Sequence, residues 1–124
     1  MKFFCEKISI VDEQFGCSIT FAEQENGIAN EHVTVDELQH SSGQYLMLMR
    51  KYSENEFEED YLYIETVNPN KSGELSNFLI DIQPNQFSIT YDKGSIEIEM
   101  QPDEQKLKAI KRIIEKITDK ASSL

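Results

Sequence analysis

The sequence predicts an α+β fold that is mostly β, with about seven largely antiparallel strands and one C-terminal amphipathic helix packed on the sheet. Over the first hundred residues, short segments rich in β-branched and aromatic side chains are separated by turn residues, as in antiparallel sheets. After that point the apolar residues recur every three or four positions, which is the period of a helix. With 124 residues and no internal repeat, the chain is predicted to be a single domain, β-rich over 1–100 and helical over about 103–120.

The N-terminal part is predicted to form a β-hairpin. Residues 3–10 are rich in aromatic and β-branched side chains, with Phe4, Ile8 and Ile10 on one face. Residues 16–22 alternate between apolar and polar side chains, which is typical of a strand with one buried face. Because the linker VDEQFG has turn character, we expect the two strands to pair directly.

The third strand is predicted to be buried on both faces. All residues from Tyr45 to Met49 are apolar within the segment QYLMLMR (44–50). A continuous apolar run indicates a central strand covered on both sides, so Met47 and Met49 are expected in the core. The remaining strands are predicted at 61–66, 75–82, 87–91 and 95–100.

The C-terminal segment is predicted to be an amphipathic helix. Asp103 follows Pro102 at the N-cap position, and Glu104 lies in the first turn, where the helix dipole favours an acid. Apolar residues then recur at helical spacing, and basic residues fill the other faces. Because a lone helix of this length is marginal in water, we expect the apolar stripe to pack on the sheet. The stripe consists of Leu107, Ile110, Ile113, Ile114 and Ile117.

A long polar connection over residues 23–43 contains both histidines of the chain, His32 and His40. Connections of this length are uncommon within a domain and are often functional. A short helical turn is expected around Asp36–Gln39. The histidines lack a metal-binding spacing, so the simplest interpretation is two exposed loop residues, and acid–base catalysis or metal binding is the alternative.

The other residues that could carry chemistry do not form a recognisable catalytic set. Cys5 and Cys17 lie in predicted strands without a pattern of basic neighbours, so two buried free thiols are expected, with a disulfide as the alternative. The sequence contains no GxSxG motif, no phosphate-binding glycine loop and no zinc-type cluster. We therefore expect no catalytic residues, no metal ligands and no cofactor.

The charge of the chain excludes several classes of partner. There are 23 acidic and 12 basic residues, which give a net charge of −11. Nucleic acid and anionic membrane surfaces are not expected partners, because both attract an excess of Lys and Arg. Residues 1–100 hold 19 acids against six bases, so the acidic excess lies on the β part. The start MKFFCEKISI lacks a signal-peptide pattern and no segment is apolar enough to span a membrane, so a cytoplasmic protein is expected.

Two acidic segments are candidate partner-binding sites. In the loop ENEFEED at 54–60, acids would steer a basic partner, and Phe57 or Tyr52 would supply the buried anchor. A solvated, self-repelling loop and a calcium site are the alternatives, although the EF-hand pattern is absent. The second segment is the outward face of the strand at 95–100. The candidate residues are Glu54, Glu56, Phe57, Glu58, Glu59, Asp60, Glu97 and Glu99.

Several segments of the chain also follow one another in an order found in a known family. They are QYLMLMR (44–50), the acid-rich insert before YLYIE (61–65), SGEL (72–75), FSITYDKGSIEIEM (87–100) and KLKAIKRIIEKI (106–117). This order resembles the immunity protein 10 family of bacterial polymorphic toxin systems, over about residues 16–118. The resemblance implies a mostly-β, non-enzymatic protein that binds and neutralises a cognate toxin in the cytoplasm.

Three functions are therefore open at this point. The first is an immunity protein whose partner is a basic toxin domain, such as a nuclease, because an acidic inhibitor complements a surface that holds phosphates. The second is a small β-rich enzyme or ligand-binding domain that uses the histidines of the 23–43 connection. The third is a cytoplasmic adaptor that binds other proteins.

Overall fold

The computed structural model describes residues 2–23, 43–53 and 59–118, and within these ranges the chain forms nine strands and one α-helix. The predicted mostly-β α+β class is confirmed. The strands are β1 (Lys2–Phe4), β2 (Lys7–Glu13), β3 (Gly16–Ala22), β4 (Tyr45–Lys51), β5 (Tyr61–Thr66), β6 (Gly73–Glu74), β7 (Phe78–Gln83), β8 (Gln86–Tyr91) and β9 (Gly94–Glu99), and the helix is α1 (Glu104–Thr118). The number of strands exceeds the predicted seven for two reasons. The strand predicted at 3–10 is divided into β1 and β2, and β6 is a short strand that was not predicted.

The strands form two sheets. Their orders are β1–β9–β8–β7 and β2–β3–β4–β5–β6. All neighbouring pairs are antiparallel except β1 and β9, which run parallel. The expected β2–β3 hairpin is present, with Ile10 opposite Ile19. The β1–β9 pair, in contrast, joins segments from opposite ends of the chain.

The chain passes from one sheet to the other between Cys5 and Glu6. The Cys5 N–H donates to the Glu99 carbonyl on β9, and the Glu6 N–H donates to the Ala22 carbonyl on β3, each at 2.8 Å. β1 and β2 are therefore one bent strand whose two halves belong to different sheets, as at the corners of orthogonal β packing. The bend interrupts the alternation of faces, so Phe4 is exposed while Ile8 and Ile10 pack against the core, and the prediction that the three share one face is wrong.

A second crossing leads from β6 to β7. The Leu75 N–H donates to the Leu62 carbonyl at 2.9 Å and extends the β5–β6 pairing before the chain leaves the five-stranded sheet. The Tyr91 hydroxyl donates to the Lys71 carbonyl at 2.7 Å, which ties the end of β8 to the 3-10 turn Pro69–Lys71. The sheets are thus connected through the chain at both edges.

The core lies between the two sheets and beneath the helix. Ile19, Leu48 and Ile64 are side by side in register across β3, β4 and β5, and all three are buried. The rings of Phe21 and Phe87 stack across the two sheets with centroids 4.7 Å apart. Burying each of these side chains contributes about 1.5–3 kcal/mol, so the inner faces supply most of the folding energy.

Strand β4 is central in its sheet, but it is not equally buried on its two faces. Leu46 and Leu48 point inward and are fully buried, whereas Met47 and Met49 are only half-buried on the outer face. The prediction that both methionines lie in the core is therefore wrong, although Tyr45 at the start of the same outer face is buried. An apolar run cannot by itself show how deeply each of its two faces is buried.

Helix α1 packs on the inner face of the five-stranded sheet against β2, β3 and β4. Asp103 caps it as predicted, because its carboxylate accepts from the Lys106 N–H at 2.7 Å. Four residues of the predicted stripe are buried and Leu107 is half-buried against the same core. The buried residues are Ile110, Ile113, Ile114 and Ile117.

Both cysteines are buried free thiols, as the sequence predicts. The Cys5 thiol donates to the Lys7 carbonyl at 3.0 Å, and burial raises the pKa of Cys5 to about 11. A raised thiol pKa keeps the sulfur protonated at neutral pH, where it is a poor nucleophile.

Candidate protein-binding surfaces

The acidic loop between β4 and β5 begins and ends at the same end of the five-stranded sheet. Lys51 and Tyr61 are direct cross-strand neighbours, so they fix the two ends of the connection side by side. Four of the predicted binding residues, Glu54, Glu56, Phe57 and Glu58, lie outside the described residues. Glu59 is described and is exposed.

Asp60 has a structural role at the end of this loop. Its carboxylate accepts from the Ser53 N–H at 2.9 Å and from Arg50 Nε at 2.8 Å. The Ser53 hydrogen bond and the Arg50 guanidinium together hold the pKa of the Asp60 carboxyl below its usual value. Among the predicted binding residues that the structure describes, Asp60 is thus the one whose charge is paired with a buried base.

Arg50 connects this loop end to the C-terminal part of α1. Its side chain is buried on the inner face, where its Nη1 donates to the Lys116 carbonyl at 2.9 Å and its guanidinium lies 5.8 Å from the Tyr52 ring centroid. A cation that bonds a carbonyl near the helix C-terminus also interacts favourably with the helix dipole. Nearby, Lys116 Nζ donates to Asp12 at 2.6 Å, so charged side chains join the helix to both β2 and β4.

The four-stranded sheet presents a polar, acidic outer face. Glu97 and Glu99 of β9 are exposed, and Asp81 lies in the same cross-strand row as Glu97, with Ser88 between them. Lys2 on β1 approaches Glu99 at 3.4 Å, but both side chains are more than half exposed. Such an exposed pair contributes little to stability. Breaking it to bind a partner would therefore cost little, and Glu97 and Glu99 are both accessible.

The outer face of the five-stranded sheet carries an apolar patch that the sequence pattern did not indicate. Its members are Val11, Phe15, Met49, Tyr61 and Tyr63, and we call this set the apolar patch. Met49 is the direct cross-strand neighbour of Tyr63. Val11, Phe15 and Tyr61 are exposed, with Phe15 67% exposed in the β2–β3 turn. Single exposed apolar residues are common, but a contiguous group marks an interaction surface.

A shallow hollow of about 240 Å³ lies within the apolar patch. Val11, Phe15 and Met49 form its walls, and Gly16 and Ser18 line it between them. Small-molecule sites usually enclose about 300–1,000 Å³, so this hollow has the size of a single protruding side chain.

The two tyrosines of the patch are held in place by their surroundings. Their rings stack with centroids 6.1 Å apart, and the Tyr63 hydroxyl donates to Glu65 at 3.3 Å. Glu65 is buried and also accepts from the Tyr45 hydroxyl at 3.2 Å. Burial, followed by the Glu65 carboxylate, raises the pKa of Tyr63, so the hydroxyl stays protonated and keeps donating.

The borders of the apolar patch are mainly acidic. Glu13, Glu59 and Glu74 are exposed around it, and Lys51 is the exposed base among them. In register, Glu74 is the direct neighbour of Tyr63, and Lys51 is the direct neighbour of Tyr61. An apolar centre with a charged, solvent-accessible rim is the usual arrangement of a protein-binding surface.

A larger groove lies between α1 and β2. Its volume is about 650 Å³, and it is lined by charged residues as well as by Ile10 and Ile113. The Asp12–Lys116 ion pair is part of this lining, so the two charges neutralise one another there. Among the described residues, no group of three His, Cys, Asp or Glu side chains is arranged to hold a metal ion. His32 and His40 lie outside those residues, as does the predicted turn at Asp36–Gln39.

Comparison with known proteins adds no family assignment. Neither protein-family models nor curated proteins give a match to the chain. Within the part of the chain that the structure describes, no helix combines the length and apolar character needed to cross a membrane.

Proposed function

We propose that this protein is a non-enzymatic immunity protein that binds and neutralises a cognate bacterial toxin domain with a basic surface. The observation that carries the proposal is the distribution of exposed charge. Acidic side chains are exposed on the β part, including Glu97 and Glu99 on the four-stranded sheet and Glu59 just before β5, whereas exposed bases such as Lys108 and Lys111 lie on α1. The immunity-family resemblance in the order of sequence segments supports the same function.

The physical argument is one of complementary surfaces. A toxin that cleaves nucleic acid needs Lys and Arg to hold phosphates, and an acidic protein that covers those residues blocks the substrate. Opposite potentials also accelerate the encounter and help to reject wrong partners. An adaptor with a basic partner would use the same surface, and protection of cells against the toxin is what separates the two functions.

The first experiment tests neutralisation directly. The toxin domain encoded beside this gene is expressed with and without the protein, and growth, complex formation and association rate are measured. Immunity requires rescued growth and a stable complex whose association slows as salt is added, because exposed charges are screened. If no neighbouring product is toxic, or if the complex forms without rescue, the proposed function is wrong.

Charge reversal then identifies the acidic surface that steers the toxin. The variant Glu56→Lys/Glu58→Lys/Glu59→Lys reverses three acids at the β4–β5 loop. The comparison variant Asp92→Lys/Glu97→Lys/Glu99→Lys applies the same charge change to three exposed acids of β9 and the β8–β9 turn, and slower association of this variant alone would assign steering to the four-stranded sheet. We expect the loop variant to associate at least about tenfold more slowly at low salt, within the range that steering supplies. Equal rates for both variants and the wild type would remove electrostatic steering from the mechanism.

A further inference from the structure

We propose that the apolar patch is the docking surface for the partner, and that the partner inserts one apolar or aromatic side chain, flanked by basic residues, into the hollow beside Phe15. This inference deepens the proposed function and rests on it for the identity of the partner. It moves the centre of the interface from the acidic loop to the outer face of β2–β5, and makes the acids its rim.

The exposure of the patch is the first argument. Among the described residues, five large apolar side chains are exposed, and three of them, Val11, Phe15 and Tyr61, belong to this one face. Phe15 adds little to folding, because two thirds of it remains in solvent in the free protein. A partner that covers Phe15 and its neighbours would remove from water the apolar surface that folding leaves exposed.

The shape of the patch is the second argument. The hollow depends on Gly16, since a Cβ atom there would lie 2.7 Å from the Arg50 carbonyl oxygen on β4. The glycine permits this close approach of β3 to β4. In the cross-strand row Glu13–Gly16–Lys51, it also leaves the central position without a side chain. The walls formed by Val11 and Met49 therefore enclose a space that a side chain of the partner can fill.

The third argument is preorganisation of the aromatic residues. Tyrosine is enriched among the residues that dominate binding energy, in part because it offers a large contact area at a low cost in side-chain entropy. Here Tyr63 is already fixed by its hydrogen bond to Glu65 and by stacking on Tyr61. Binding then orders fewer side chains, and less of the contact energy is lost to entropy.

The charge of the rim selects the occupant. Glu13, Glu59 and Glu74 are exposed around the patch, and Lys51 is an exposed base beside them. A second copy of this chain would bring the same acids together across a two-fold axis, which disfavours self-association. An anionic membrane is disfavoured for the same reason. A basic protein surface is the occupant that fits both the apolar centre and the rim.

The test compares exposed apolar residues on the two sheets. Phe15→Ala and Tyr61→Ala alter the apolar patch, and Leu79→Ala, at a residue 78% exposed on the four-stranded sheet, is the matched control. We expect each patch variant to raise the Kd for the toxin domain at least about tenfold, mainly through faster dissociation, and the control to change it less than about twofold. Unchanged urea midpoints show that the variants are folded. If the toxin binds and both patch variants keep wild-type Kd values, the docking surface is wrong while the proposed function stands.

A second probe makes the surface testable without the toxin. The wild type is titrated with a synthetic peptide in which one tryptophan is flanked by lysines, and with a counterpart that carries glutamates instead. We expect the lysine peptide alone to shift the methyl signal of Met49 and the ring signals of Tyr61 in NMR spectra, with no shift at Leu79. Shifts at that leucine only, or equal shifts with both peptides, would overturn the docking surface. Shifts at the patch together with a failure to rescue cells would leave the surface standing and reject the immunity function.

Sedimentation velocity tests whether the apolar patch binds a second copy of the chain. The protein is expected to remain a monomer as its concentration is raised. A dimer that dissociates on the Phe15→Ala substitution would show that the patch binds a second copy of the chain, and the inference of a basic partner would be wrong.

Discussion

Replacing Asp60 by asparagine removes the carboxylate that neutralises the buried Arg50 guanidinium. The Arg50 side chain is 4% exposed and that of Asp60 is 18% exposed, so the pair is shielded from water. Removing one partner of a buried ion pair costs about 3–5 kcal/mol when nothing else compensates the remaining charge. Asparagine still offers an oxygen to Arg50 and to the Ser53 N–H, and the guanidinium keeps its hydrogen bond to the Lys116 carbonyl, so we expect no more than the lower end, about 3 kcal/mol. That is a large share of the ~5–15 kcal/mol by which a domain is usually stable.

Urea-induced unfolding, followed by circular dichroism, measures this loss. The matched control is Asp12→Asn, which removes the partner of Lys116 from a pair whose side chains are both about half exposed. An exposed pair contributes about 0–1 kcal/mol, so the control should lose much less stability than the Asp60 variant. Equal losses of unfolding free energy in the two variants would show that burial does not increase the contribution of the Arg50–Asp60 pair to stability.

The pH dependence provides an independent check on the same residue. Because the Asp60 pKa is lower in the folded protein, its ionised form stabilises the fold above the unfolded-state pKa of about 3.9. That contribution is lost as the pH falls through the lower, folded-state pKa. The stability difference between the wild type and Asp60→Asn should therefore be constant near neutral pH and shrink in acid. A difference that persists unchanged well below the unfolded-state pKa would refute the electrostatic explanation.

Substitutions at Asp103 and Gly16 and a reaction of the Cys5 thiol test other parts of the fold. Asp103→Ala should destabilise the protein by about 1 kcal/mol in urea unfolding, because the Lys106 N–H loses its cap, while Asp103→Asn should lose little. Gly16→Ala should cost about 1–3 kcal/mol, since its Cβ would meet the Arg50 carbonyl, and a wild-type urea midpoint would contradict that close approach. The Cys5 thiol, with its pKa raised to about 11, should react with a disulfide reagent at neutral pH only when urea unfolds the protein, and rapid reaction in buffer alone would contradict its burial.

Much of the strand pattern and the helix follows from local sequence. The alternation in 16–22 predicts both the strand and its inner face, because side chains on a strand point to opposite sides in turn. The cap at Asp103 and the isoleucine stripe of α1 are predicted for a similar reason, since both depend on residues within a few positions of one another.

The candidate site is less visible in the sequence than the fold. The acids Glu97 and Glu99 are placed outward correctly, because they alternate with buried isoleucines on one strand. The apolar patch, however, collects residues from three strands and one turn, and no local pattern connects Phe15 with Met49 or Tyr61. Aromatic and methionine residues in a β-rich sequence are ordinarily assigned to the core, which hides an exposed group of them.

The sequence by itself determined the mostly-β class, the capped amphipathic helix and the acidity of the β part. These properties are either local or sums over composition. Only the tertiary structure decided that β1 pairs in parallel with β9, that the chain changes sheets at Cys5, and that Met47 and Met49 on the outer face of β4 are only half-buried. The physical reason is that these features depend on which distant segments meet. The same apolar strand is core or docking surface according to what lies against it.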